Sequence, residues 1–248
     1  MPSKMQQPYA NSGAGYLVKG FQLIRLKGIR RFVFIPLTVN IILFAIAFHF
    51  MFTQLDVYML QLEQWLPEWL SWLTTVLWPL AVVFLLITFS FIFSSVANWL
   101  AAPFNGLLAE KIEAMLTNKV APSGSPMAIV KDIPRTLSRE WCKFRYYLPR
   151  AIGFFILSWF IPVIGQIMWF LFIAWMMAIQ YKDYAFDNHK INFDEMKIAL
   201  QHKKGLSYSF GITTAIFSMI PLVNLVVMPV AICGATALWV DHYRDDFV

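Results

Sequence analysis

"FFILSWFIPVIGQIMWFLFIAW", residues 154–175, holds no charged residue and is interrupted near its middle by Ile161-Pro162 and Gly165. It lies inside a longer uncharged block, Ala151 to Tyr181, with about 11 residues before the break and about 16 after it. Eleven helical residues reach about 16 Å, half of a ~30 Å hydrocarbon core. A proline with a glycine at that depth frees backbone groups that must be satisfied again inside protein or water. Two readings fit: one kinked, tilted span, or a helical hairpin that enters the bilayer and returns. The block is long for one span and short for two, which favours the hairpin.

The same pattern recurs. Gly205 to Val240 is uncharged apart from its flanks, has "IPLVNLVVMP" in its middle, and has short arms at Leu206–Ile220 and Val230–Val240. An offset of 59 residues aligns Ile161 with Ile220, Pro162 with Pro221, Ala178 with Ala237, Tyr184 with Tyr243 and Asp187 with Asp246. Repeated broken helices mark membrane transport architectures, although apolar segments also resemble one another by chance. Towards the N-terminus, Phe32–Phe52 is one bilayer thick as a helix, with Pro36 in its first turn, where proline is tolerated. The block Trp69–Ala109 is twice that length. Trp78 and Trp99, about 21 residues apart, match the two interfaces and place the second span between them, with Pro103 expected to break the helix on the inner side.

The expected fold is therefore an all-α integral membrane protein. It is a single membrane domain over 1–248, with spans at 32–52 and 78–99, cytoplasmic helices over 104–150, and partly inserted hairpins at 151–181 and 205–240. Composition agrees: of 248 residues 59% are hydrophobic and 14% charged, with mean hydropathy +0.60. Soluble chains carry nearer a quarter charged residues. The N-terminus is polar up to Tyr16, which argues against a cleaved signal peptide. Cys142 and Cys233 have no partner at metal or redox spacing and are expected to be free thiols.

Charge placement sets orientation. The first 31 residues carry six Lys/Arg and no acid; residues 53–68 carry Asp56, Glu63 and Glu68 and no base; residues 110–150 carry eight Lys/Arg. The positive-inside rule puts both termini in the cytoplasm and the 53–68 connector outside. "FNGLLAEKIEAMLT" (104–117) and "IPRTLSREWCKFRYYLPRA" (133–151) read as amphipathic helices, and Tyr16–Leu26 presents Leu17, Phe21 and Ile24 as an interfacial face. "YKDYAFDNHK" (181–190) reads as a loop.

No phosphate-binding loop, zinc-protease helix or nucleophile elbow is present, and the four histidines form no ligand cluster in sequence. No enzyme, cofactor, metal, nucleotide or nucleic-acid role is expected. The chemistry concentrates at "LKGIRRFVFIP" (26–36). Arg30 and Arg31 are cations at a helix start, the wrong sign for an empty macrodipole. As interfacial anchors they need no further account. Alternatively, Gly28, the unpaired N–H groups and two guanidinium forks make an oxyanion site, where an anion reverses the sign problem. A second constellation is Asn105, Glu110 and Glu113 on one helix, able to pair with Arg135 or Arg139, line a polar path and carry coupled protons; the competing reading is a solvated helix.

The residues "GIRRFVFIPLTVNIILF", "ANWLAAPFNGLLAEKIEA", "REWCKFRYYLPRA", "FDNHK" and "MIPLVNLVVMPVAICGATALWVDHYRD" resemble the CysZ family of bacterial inner-membrane sulfate transporters over nearly the whole chain. The resemblance implies sulfate uptake for cysteine biosynthesis by a homo-oligomer in the bilayer. It implies that sulfate binds at the element Gly28, Ile29 and Arg30, followed by Arg31, and that a polar pathway includes Asn105 and Glu110. The ion pathway expected here takes in Asn98, Glu113, Arg135 and Arg139 as well. A non-transporting membrane scaffold is the alternative.

Overall fold

The computed structural model describes residues 8–119 and 126–248; within its helices the side chains of 32–33, 36–37, 40, 90–103, 126–133, 221–222 and 225 are not described. Among the described residues all regular structure is helical: α1 (Gly13–Leu23), α2 (Arg30–Trp65), α3 (Trp72–Leu116), α4 (Pro126–Phe160), α5 (Pro162–Asn188), α6 (Phe193–His202), α7 (Lys204–Ser218), α8 (Pro221–His242) and α9 (Arg244–Phe247), with a single 3₁₀ turn at Glu68–Leu70.

The chain divides into two compact units, residues 34–101 and residues 1–33 with 102–248. In the first, the limbs of α2 and α3 run antiparallel, with Phe89 edge-on to Phe44 at 5.2 Å and to Phe48 at 6.1 Å. Both helices are apolar all round, as lipid-facing helices are. The stretches Ile41–Trp65 and Trp72–Phe89 are long and apolar enough to cross a membrane, and almost none of either is buried. A third such stretch, Pro162–Asn188, is one-third buried. The protein is a multi-pass membrane protein.

The second unit is a bundle of α1, α5, α7 and α8, with α4 against α5 and the last turns of α3 packed into the core through Leu108 and Ile112. The break at Ile161 is the corner of a hairpin. Its two arms pair antiparallel: Gly165 lies against Ser158, Trp169 edge-on to Phe155, Phe172 on Phe154, and the Trp175 indole N–H donates to Tyr146 Oη at 3.3 Å. Pro162 opens α5 at a position whose N–H has no helical partner to lose. Pro221 opens α8 in the same way after Ile220, so the 59-residue offset superposes the same device in both hairpins. The likeness extends to the far ends, where Asp187 pairs with Arg135 at 2.6 Å and Asp246 with Lys203 at 3.1 Å.

Three expectations are revised. Pro103 does not end its helix, and α3 runs on for 45 residues to Leu116. The second amphipathic helix is not separate from the first hairpin arm, since α4 continues through Pro149 to Phe160. The "YKDYAFDNHK" stretch is not a loop: α5 is helical to Asn188, and Tyr181 to Phe186 are all buried.

The helix crossings are made by glycine. An added methyl on Gly13 would fall 2.3 Å from the Phe210 backbone nitrogen, and one on Gly234 would fall 2.4 Å from the Tyr16 carbonyl oxygen. Gly20 is equally tight against Val230 and Gly211 against Ala174. Backbones this close need small residues, as membrane helices commonly supply. Helix α1 is thereby locked between α7 and α8, and Tyr16 Oη donates to Asp241 at 2.7 Å. Its apolar face meets protein: Leu17 is buried, and Phe21 and Ile24 pack on the core.

Candidate functional site

The chain leaves α1 through a string of turns, with N–H bonds from Arg25 to the Gln22 carbonyl, from Leu26 to Leu23 and from Ile29 to Leu26. Gly28 holds φ +90°, a conformation open to glycine and strained for other residues, and has open space where a Cβ would point. Ile29 is fully buried in the main apolar cluster. It anchors the element in the core. Arg30 and Arg31 then begin α2, exposed, at the end where the first N–H groups lack intrahelical acceptors. Arg30 Nε donates to the Arg25 carbonyl at 3.2 Å, which holds the stem of the fork, and Arg30 has no ion pair among the described residues. Arg25 and Lys27, also exposed, add to the positive field.

The second group gathers where the ends of α3, α4, α5 and α8 meet. Asn105 is buried and donates to Tyr184 Oη at 3.2 Å; Gln180 donates to the same oxygen at 3.2 Å. Arg139 grips Asp183 through Nε at 2.8 Å and Nη2 at 2.7 Å and donates to the Ile191 carbonyl at 3.0 Å. Lys143 lies 3.3 Å from the other Asp183 oxygen and 2.6 Å from Glu140. Burial alone would favour a neutral Lys143, but Asp183 and Glu140 more than offset it and raise its affinity for the proton. The carboxylates that meet Arg135 and Arg139 thus include Asp187 and Asp183 of α5. Glu110 is half-buried on α3. The side chain of Asn98 lies outside the described residues.

Glu113 is held by His189 Nε2 at 2.8 Å and Arg244 Nε at 3.2 Å, with the His189 ring stacked on Trp239. Burial pushes the Glu113 carboxyl up, but the hydrogen bond from His189 and the charge of Arg244 outweigh it, so its pKa lies below the ordinary 4.5. Glu113 stays ionised at neutral pH and is poorly suited to carrying a proton. A carboxyl depressed on folding stabilises fully above its unfolded value, and the gain is lost as pH falls through the folded value. Wild-type protein is therefore expected to lose thermal stability below about pH 4.5 relative to Glu113→Gln, with melting curves between neutral and acid pH as the check. Parallel curves for the two proteins would refute the pairing.

Sequence reasoning missed Asp183, Lys143, His189 and Arg244. The signal for the first two was present: Arg135, Arg139 and Lys143 at four-residue spacing face Asp183 and Asp187 at the same spacing across an antiparallel pair.

A family profile described as sulfate transporter CysZ/etoposide-induced protein 2.4 matches residues 16–229. The chain belongs to this family. By its description the CysZ family is one of transporters rather than enzymes. The matched stretch takes in the Gly28–Arg31 element, the end of α3, all of α4 to α7 and the first turns of α8.

Proposed function

We infer that the protein conducts sulfate across a bacterial inner membrane to supply cysteine biosynthesis, and that sulfate first binds at Gly28, Arg30 and Arg31. The observation that carries this is the Gly28-to-Arg31 corner. A glycine with φ +90° precedes two exposed arginines at an open helix start, and Arg30 has no carboxylate partner there. Forked guanidinium donors and the N–H groups of a helix start suit a tetrahedral dianion. Membership of the CysZ family supports sulfate as that anion.

From there the proposed path passes Asn98, Asn105 and Glu110 on α3. Arg135 and Arg139, neutralised by Asp187 and Asp183, contribute a charge-balanced wall rather than a trap. The hairpin corners are proposed to be re-entrant, because their tips are apolar and exposed: Trp159 is 77% and Phe160 79% accessible. The exposed faces of α2 and α3 supply surface for lipid and for further copies in a homo-oligomer, and the charge asymmetry supports cytoplasmic termini.

Against an inside-negative potential of 100 mV a dianion pays about 4.6 kcal/mol on entry, from ~2.3 per charge. Sustained uptake through this protein therefore needs rapid intracellular consumption or a coupled cation. In proteoliposomes, Arg30→Ala with Arg31→Ala is expected to lower radiolabelled sulfate uptake and sulfate affinity by at least about a hundredfold, from two charge-assisted contacts of ~1.5–3 kcal/mol each. Arg30→Lys with Arg31→Lys separates site from anchor. Lysines keep the charge but not the fork, so a site loses affinity and an anchor does not. Unchanged uptake in both variants would leave the arginines as anchors and remove the proposal.

A further inference from the structure

Away from the Gly28–Arg31 corner, the hairpin α4–α5 and the start of α7 enclose a cavity of about 450 Å³. Its floor is apolar, formed by Phe154, Met168, Leu171 and Phe172. Its mouth is basic: Arg150 from α4 and Lys204 from α7 line it, with Gln201 and Tyr208, and no acidic residue contributes. The two cations are exposed, and neither forms an ion pair among the described residues. Arg150 is pre-positioned, with Nη1 donating to the Tyr146 carbonyl at 2.9 Å and the guanidinium 3.8 Å from the Tyr146 ring centre, so the remaining N–H groups of the fork are spare.

The apolar floor is continuous with the tip of the hairpin. From Met168 and Leu171 the chain leads back through exposed Ile167, Ile164 and Val163 to the corner at Ile161. Three properties therefore coincide: two cations with no carboxylate partner among the described residues at one end, an uncharged slot leading from them, and an exposed apolar ridge beyond it. A free inorganic anion would use the first and gain nothing from the other two. A neutral lipid would leave the cations unpaired. A phosphodiester bearing acyl chains uses all three.

We propose that this cavity is a binding site for an anionic phospholipid, with the headgroup phosphate between Arg150 and Lys204 and an acyl chain laid over Phe154, Met168 and Leu171. Basic pockets between membrane helices hold anionic headgroups by this chemistry. The lipid would bridge α4, α5 and α7 and so tie the first hairpin to the second. The site requires a membrane protein and is independent of whether the cargo is sulfate.

The test is native mass spectrometry of the full-length protein in detergent with dioleoyl phosphatidylglycerol or dioleoyl phosphatidylcholine added. Wild type is expected to retain phosphatidylglycerol in preference to phosphatidylcholine. Arg150→Gln with Lys204→Gln should bind phosphatidylglycerol at least about tenfold more weakly, since each cation removed takes a charge-assisted contact with it. Leu171→Trp, which fills the slot and leaves the charges, should weaken it too. Equal retention of the two lipids by wild type, or undiminished phosphatidylglycerol binding in either variant, overturns the proposal. Displacement of the lipid by inorganic phosphate would do the same, by making the cations a free oxyanion site. Sulfate uptake failing in proteoliposomes while lipid selectivity persists would overturn the transport reading alone. Both altered cations are exposed, and matching melting temperatures and elution volumes confirm that the charge variant folds. If it does not, the lipid comparison on wild type and the Leu171→Trp result decide.

Discussion

Gly211→Val is expected to prevent assembly of the helical bundle. A Cβ at this position would stand 2.7 Å from the Ala174 carbonyl carbon and closer still to its oxygen. The obstruction is backbone, so no rotamer change relieves it, and α5 and α7 must separate. Overpacking of a core costs ~1–3 kcal/mol where side chains can yield, and a backbone clash belongs at or beyond the top of that range. Separation would also carry Trp175 away from Tyr208, now 5.3 Å apart, and Lys182 away from Ser207 at 3.0 Å. Helix propensity works the other way, since replacing glycine by alanine favours a helix by ~1 kcal/mol. Gly153 in α4 isolates that term, because a methyl there meets nothing within 4 Å. Gly211→Ala should therefore lower the melting temperature and Gly153→Ala should not. If both behave alike, the close approach of α5 and α7 is wrong.

Removing the Asp183 charge is expected to have an effect of similar size by a different route. Asp183 is 1% accessible and answers two cations, half-buried Arg139 and buried Lys143. An asparagine keeps the shape and cancels the compensation, leaving both positive charges to Glu140 and the less direct influence of Asp187. Breaking a buried ion pair from one side costs ~3–5 kcal/mol. Asp183→Asn should thus unfold the α4–α5 junction or leave it marginal in detergent. Changing all of Asp183, Arg139, Lys143 and Glu140 together to apolar residues of matched size should recover much of the loss, because an absent network leaves no orphaned charge. Lys197–Asp194 offers the contrast. Asp194 is exposed and its pairing is screened by solvent, so Asp194→Asn should leave stability nearly unchanged. Melting temperatures of the three variants, measured side by side, test the ordering.

The parts of this fold that could be read from sequence are those fixed by local rules. Ile161-Pro162 and Ile220-Pro221 announce corners because proline suits the first position of a helix and disrupts its interior. Arg30 and Arg31 were visible as a helix start because charge stops where the apolar run begins. The length of α3 was not legible. Proline is tolerated within membrane helices when neighbours satisfy the freed carbonyls, so Pro103 gave a break signal that the helix does not obey. "YKDYAFDNHK" was misread because its charges suggested solvent, whereas Asp183 and Asp187 are answered by α4 across the hairpin and Lys182 by Ser207 of α7. Glu113 was recognised as a notable acid, but its partners His189 and Arg244 lie 76 and 131 residues away, and no periodicity connects them.

The seat of α1 also dictates an order of events during synthesis. Tyr9 N–H binds Asp241 across 232 residues, and Gly13 N–H binds Ser209 across 196. Helix α1 thus docks against helices made long after it. Until α7 and α8 emerge, Tyr16, Leu17 and Leu23 have no surface of their own to cover them, and contacts of such long sequence separation form late. A chain stopped short of Val230 would leave α1 with α7 but without most of α8, and a protease present during translation would find α1 incompletely covered until α8 arrives.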